Sequence, residues 1–198
     1  MITLKAEKRD LNVKPKKLRR EGYVTASVFG KDIEGSVPVQ ISAHDVELAL
    51  RSAGKGSRIV LDIDGDKKNV LIKEIQSNVL KRQILEIDFQ ELVAGEMVKS
   101  VAEVVLENET SVNGGIVELL MSEIHYSALP ESITDKVVVD CSTLKVGSEV
   151  KVKDLALAKD KNVKLISDPE AVVVNVAHQE LENEADDTAS DADATDAQ

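Results

Sequence analysis

Residues 58–76 read RIVLDIDGDKKNVLIKEIQ. Ile59, Leu61 and Ile63 recur at every second position, the period of a half-buried strand. Asp64-Gly65 is a dipeptide that accepts the positive φ angles of a tight hairpin turn. A second apolar run, Val70 to Ile75, follows it. Two such runs across Asp-Gly predict an antiparallel hairpin, and the hairpin makes the surrounding region β. Asp62, Asp64 and Asp66 alternate around the tip as calcium ligands could. The stretch lacks the Gly at position six and the Glu at position twelve of a calcium loop, so a charged turn is the better reading.

Before the hairpin, ITLKAEK alternates Ile2, Leu4 and Ala6 with polar residues. YVTASVFG does the same with Val24, Ala26 and Val28, and SVPVQIS with Val37, Val39 and Ile41. Pro38 has no N–H to give a ladder, which suggests an edge strand. Ser42 is a candidate N-cap with Asp45 three residues on. Val46, Ala49 and Leu50 then share a helical face, and Gly54 is the expected stop. GKGS at 54–57 is too short for a phosphate loop and reads as a link from helix to strand. After the hairpin, ILEIDFQEL places Leu85, Ile87 and Phe89 on one face and Ile84, Glu86, Asp88 and Gln90 on the other.

Near Val93 a second unit begins. EMVKSVAEVVLEN, IVELLMSEIHYSAL, DKVVVDCSTL, SEVKVKDLAL, VKLIS and EAVVVNVAH are apolar-alternating runs. Asn113-Gly114-Gly115, Pro130 and Asp168-Pro169 mark turns and loops. From Gln179 the chain has eight acids, no base and no aromatic residue. Such a segment cannot bury enough surface to offset its ordering entropy. The expected fold is mainly β with minor α: a small N-terminal β-barrel with one or two helices (1–92), a second β-rich domain (93–178) and a disordered acidic tail (179–198).

The formal charge of the whole chain is −11. Residues 1–92 nevertheless carry 17 basic and 14 acidic side chains, and residues 93–178 carry 8 and 14. KPKKLRREG at 14–22 has five Lys or Arg in nine residues. Pro15 suits a first helical position, and Gly22 ends a helix of at most two turns. Taken alone the cluster is a solvated helix face or a contact surface for an anion. Salt screens charge over roughly 8–10 Å, so the acidic remainder does not exclude a local anion site.

Other chemistry finds no support. One cysteine, Cys141, excludes an internal disulfide and the Cys-rich metal sites, and it reads as an inert core thiol beside Val137 and Val139. His44, His125 and His178 have no metal-ligand spacing. No catalytic pair, cofactor motif or metal site is legible. The N-terminus has charges where a signal peptide needs an apolar run, and no stretch is long enough for a bilayer. The expected location is the cytoplasm, with no membrane partner and no small-molecule substrate.

LRREGYVTASVFGK, EIQSNVLKRQILEIDFQEL and SVNGGIVELLMSEIHYSALPESITDKVVVDCSTLKVG resemble, in order, three signature stretches of one family. It is the bacterial large-subunit ribosomal protein twenty-five family in its long form, the CTC or general stress protein type. The resemblance implies a non-catalytic, ribosome-associated protein whose N-terminal barrel binds 5S ribosomal RNA. Its partners would be that RNA, the large subunit and neighbouring ribosomal proteins. It implies RNA contacts from Arg9, Lys14, Lys16, Lys17, Arg19, Phe29, Lys31, Gln76, Glu86 and Asp88. Where this chain has Phe29 and Glu86 the family commonly has Tyr and His, and where it has Thr25 the family commonly has Pro. A different class of reading is a stress-related adaptor whose acidic second domain binds a basic protein, with no direct RNA role.

Overall fold

The computed structural model describes residues 2–178 apart from 32, 34 and 113; the expected acidic tail, 179–198, lies outside the described residues. The first unit runs β1 (Thr3–Lys8), α1 (Pro15–Arg20), β2 (Tyr23–Phe29), β3 (Ser36–Ser42), α2 (Ala43–Leu50), β4 (Arg58–Ile63), β5 (Asp66–Asn78) and β6 (Gln83–Glu91). The six strands close into a barrel in the order β1-β3-β2-β6-β5-β4. The pairs β1–β4 and β2–β6 are parallel, and the other pairs are antiparallel. Asp64 (φ 51°) and Gly65 (φ 97°) form the hairpin turn, and the Asp62 carboxylate accepts the Gly65 N–H. Val28, Val39, Ile59, Leu61, Val70, Ile72, Ile87 and Phe89 fill the barrel, and α2 adds Val46 and Ala49. Each fully buried aliphatic side chain contributes roughly 1.5–3 kcal/mol of transfer free energy.

Three local expectations are corrected, for Pro38, Leu85 and Gly54, while Ser42 holds its expected position. Pro38 is not on an edge, because β3 lies between β1 and β2 in a closed barrel. Its carbonyl accepts the Arg9 N–H on the β1 side. A residue's N–H and C=O point to the same side of a strand, so the missing donor falls where β1 has already ended at Lys8. Leu85 does not share a face with Ile87. Gln76 pairs with Glu86 and Ser77 with Ile84, so Leu85 is the extra residue of a bulge and Ile84 packs against the core instead. Ser42 occupies the N-cap position of α2 without a side-chain hydrogen bond. The helix ends at Leu50, short of Gly54, and the Ser52 and Ala53 N–H groups close its last turn on the Ala49 carbonyl.

The second unit contains β7 (Val98–Glu107), β8 (Gly115–Leu119), β9 (Glu123–Ala128), β10 (Lys136–Asp140), β11 (Glu149–Lys151), β12 (Val163–Leu165) and β13 (Val172–His178). One sheet has the order β10-β7-β9-β12, the other β11-β13-β8. A single core joins Ala102, Val104, Ile124, Tyr126, Val137 and Val139 of the first sheet to Val173 and Val174 of the second. The Tyr126 hydroxyl donates to the Thr134 carbonyl at 2.6 Å and accepts the Thr134 N–H at 2.9 Å, so its polar end is satisfied. The run IVELLMSEIHYSAL is split between β8 and β9, which lie in different sheets. SEVKVKDLAL gives a three-residue strand and then two 3₁₀ turns, which bury Val152, Leu155 and Leu157. Cys141 is buried with Val112 and Val176; burial and the nearby Glu109 and Asp140 carboxylates push its thiol pKa up.

Barrel and second unit meet along a seam. Leu71 and Val98 are buried there, outside the barrel core and outside the core of the two sheets. The Ser57 hydroxyl donates to Asp135 at 2.8 Å, and the Arg58 guanidinium donates to the Pro130 carbonyl at 2.9 Å. Gly56 (φ 84°) lies so close to β7 that a Cβ would collide with the Val101 carbonyl. The segment 54–57 therefore links α2 to β4 and also forms part of the seam.

Candidate nucleic-acid interface

The basic cluster folds as a six-residue helix, α1, with Pro15 in its first turn and Lys14 as N-cap. Leu18 is buried and fixes α1 against β2, which turns the flanking cations outward. Lys17, Arg19 and Arg20 occupy the last turn, where the helix dipole favours positive charge. The Arg19 Nε donates to the Pro15 carbonyl at 3.2 Å, so that side chain lies along the helix. Lys17 makes an exposed ion pair with Glu21 at 3.8 Å.

Facing α1 is the turn between β5 and β6. Lys16, Arg19 and Arg20 line one wall of an open cleft of about 620 Å³, and Asn78, Lys81, Gln83 and Leu85 line the other. Four of those seven residues are cationic and none is acidic. The Leu85 bulge builds this site, because it turns an apolar side chain out of the barrel and under the cations. The turn itself is held by the Asn78 side-chain Oδ1 accepting the Lys81 N–H at 3.1 Å. Its tip presents Val79 and Leu80 at 82% and 97% exposure.

Beside the cleft, the outward face of the barrel carries polar side chains in register. Thr25, Glu86 and Gln76 form one row across β2, β6 and β5; Ser27, Asp88 and Glu74 form the next. The Thr25 hydroxyl donates to the Leu85 carbonyl at 3.2 Å, which ties β2 to the bulge. The Ser27 hydroxyl donates to Asp88.

The ten residues singled out in the sequence thus fall into separate places. Lys16 and Arg19 share the cleft, Lys14 and Lys17 stand exposed on the same helix, and Gln76, Glu86 and Asp88 share the adjoining sheet face. Arg9 braces the loop before α1: its Nη2 donates to the Val13 carbonyl at 3.2 Å, while its Nε is buried without a partner. Phe29 pairs with Gln90 at the far end of β2, and Lys31 beyond it pairs with Glu96 at 3.8 Å. Six residues of strand separate Tyr23 from Phe29, about 20 Å. Arg20, Asn78, Lys81 and Gln83 were not singled out. The signal for the turn was the Lys81-Arg82 pair inside NVLKRQ, a basic dipeptide between two strands.

Among the described residues no group of three or more His, Cys, Asp or Glu could hold a metal ion. Among them, too, no helix is long and apolar enough to cross a membrane.

Comparison with known proteins gives two adjoining matches. Residues 4–89 match the family described as the Ribosomal L25p family, and residues 97–180 match the family described as Ribosomal protein TL5, C-terminal domain. Full-length relatives span both. The chain is 31% identical over 187 residues to the large ribosomal subunit protein bL25 of Thermoanaerobacter sp. (strain X514), covering 92% of each chain. It is 32% identical over 196 residues to bL25 of Caldanaerobacter subterraneus subsp. tengcongensis, covering 95% of this chain and 98% of that one. It is 31% identical over 181 residues to bL25 of Gloeothece citriformis, covering 88% and 90%.

Proposed function

The chain belongs to the Ribosomal L25p family, in the long form that carries a TL5-type C-terminal domain, and from that premise we propose that it is a structural protein of the large ribosomal subunit whose barrel binds 5S ribosomal RNA. The observation that carries the RNA reading is the cleft between α1 and the β5–β6 turn, with four cations and no carboxylate. Phosphate oxygens are neutralised by Lys and Arg, and such contacts orient a protein on RNA without reading sequence. The sheet face beside the cleft supplies the discriminating groups. Gln76 can donate and accept at once, which suits a base edge or a 2′-hydroxyl. Glu86 and Asp88 are acceptors, suited to base amino groups and 2′-hydroxyls rather than to phosphates. A-form RNA offers these groups in its wide, shallow minor groove, where a flat strand face can lie.

On this reading Lys16, Arg19, Arg20 and Lys81 hold the backbone. Lys14 and Lys17 extend the same positive surface, and Arg9 shapes the loop that presents α1. Phe29 and Lys31 would contact RNA at the far end of β2. The protein would act in the ribosome, without a catalytic step or cofactor.

A gel shift of residues 1–92 and of the full chain on 5S rRNA, with a plain RNA duplex as competitor, tests the reading. Both proteins are expected to bind 5S rRNA in preference to the duplex. A folded 1–92 fragment that fails to bind while the full chain binds would move the RNA site to the second unit. Failure of both would favour a protein-binding adaptor.

A further inference from the structure

A second basic cleft, of about 830 Å³, opens along the seam between barrel and second unit. Lys55 enters it from the segment after α2, Lys73 from β5 and Lys99 from β7. Lys73 is placed there by a bulge: Ile72 pairs with Phe89 and Glu74 with Asp88, which leaves Lys73 as the extra residue. Its Nζ donates to the Lys99 main-chain carbonyl at 2.7 Å. Lys55 is neutralised by Glu123 at 2.9 Å. Among the described residues, Lys73 and Lys99 have no ion-pair partner. Glu74 and Glu123 also line the cleft, two carboxylates against three lysines, and Glu123 is taken up by Lys55.

This arrangement is unfavourable as it stands. Burial, and then the Lys99 and Lys55 ammonium groups, lower the proton affinity of Lys73. With Lys55 held by Glu123, Lys73 and Lys99 remain as neighbouring cations from two separate segments, and an anion between them would relieve their repulsion. Ser100 lines the cleft beside Gly56 as well, but its hydroxyl is buried and donates to the Gly56 carbonyl, so the charge must come from the lysines.

We propose that the seam cleft is a phosphate-binding site in which Lys73 and Lys99 supply the charge, taking either a backbone phosphate of RNA or a free phosphate. The RNA source rests on the function proposed above. It is favoured by continuity: the cleft follows β5 as far as Ser77, and the next residue, Asn78, lines the α1 cleft. Lys73 and Asn78 are about 17 Å apart along the strand, a span of a few nucleotides. The second unit then contributes Lys99 to the RNA surface and adds to what the barrel binds.

The test uses the full chain, inorganic phosphate and 5S rRNA. Amide resonances of Gly56, Ser100 and Val101 are followed as phosphate is added at constant ionic strength, with chloride as control. Saturable shifts are expected, and they should vanish in the double variant Lys73→Gln, Lys99→Gln. Unchanged barrel-core resonances establish that the variant is folded. Absence of saturation overturns the site, and so does saturation that survives both substitutions. A midpoint no lower than that at Lys164, an exposed lysine on β12, would also overturn it. The RNA arm identifies the source. If RNA fills the cleft, the double variant loses roughly 0.7–0.9 of the salt-dependence slope of 5S rRNA binding for each phosphate released. An unchanged slope assigns the site to free phosphate. A chain that takes phosphate here but does not bind 5S rRNA would refute the proposed function and leave this site standing.

Discussion

The Ser27 hydroxyl donates to the Asp88 carboxylate across the parallel seam of β2 and β6. The bond fixes one oxygen of Asp88 and leaves the other to accept from outside. Ser27→Ala should cost about 1.5–3 kcal/mol of stability, the range for a hydrogen bond to a charged group. Urea unfolding of the full chain measures this. Affinity for 5S rRNA should also fall, because Asp88 is no longer held in place. Unchanged stability would mean that the bond does not form in solution.

The α1 cleft makes a prediction about charge. Arg19→Ala and Lys81→Ala should each weaken 5S rRNA binding, Arg19→Ala by about 1–3 kcal/mol, and each should lower the salt slope by roughly one phosphate contact. Gln76→Ala should cost less affinity but narrow the preference for 5S rRNA over a plain duplex. Filter binding at several salt concentrations separates these effects. Equal losses on both RNAs for Gln76→Ala would remove it from the readout.

Gly56 tests the seam. Any side chain there meets the Val101 carbonyl and also the strain of a positive φ. Gly56→Ala should therefore destabilise the chain by at least about 1–3 kcal/mol. It should also speed amide exchange at Gly56 and Ile72, whose N–H groups donate to the Ile72 and Ser57 carbonyls. Unaltered exchange at these amides would show that the clash is relieved without moving segment 54–57 away from β5.

Lys73 has a pH signature. Its folded pKa lies below the ordinary lysine value of 10.5, because of burial and then of Lys99 and Lys55. Between the two values the unfolded chain holds a proton that the folded chain has released, so stability rises with pH across that window. Below the folded value the repulsion is fully present. Lys73→Gln should be no less stable than the parent at neutral pH and should lack the alkaline rise. Thermal melts of both proteins from neutral to alkaline pH test this, since other titrating groups cancel in the difference.

Part of the candidate site was legible from residue types in short windows. The Pro15-to-Gly22 stretch announced a short basic helix, and it folds as one from Pro15 to Arg20. The cleft opposite α1 was hidden, because its second wall comes from a turn some sixty residues away. Lys81 and Arg82 are a basic pair between two strands, and nothing local ties them to α1. That turn meets the helix because β6 pairs with β2, against which α1 packs, and the bulge at Leu85 adds the apolar side chain that lines the cleft.

The sequence by itself determined that the chain is mainly β, that a hairpin turns at Asp64-Gly65, and that Ile59, Leu61, Ile63, Ile87 and Phe89 face inward. These follow from period-two burial and from turn chemistry, both of which act between near neighbours. The tertiary structure decided the rest. It placed Pro38 inside a closed barrel, because what matters there is where the neighbouring strand ends. It divided residues 115–128 between two sheets, because strand pairing is a contest among distant segments that local pattern does not rank. It also gathered Lys55, Lys73 and Lys99 at one seam, since three charges far apart in the chain become neighbours only when barrel and second unit meet.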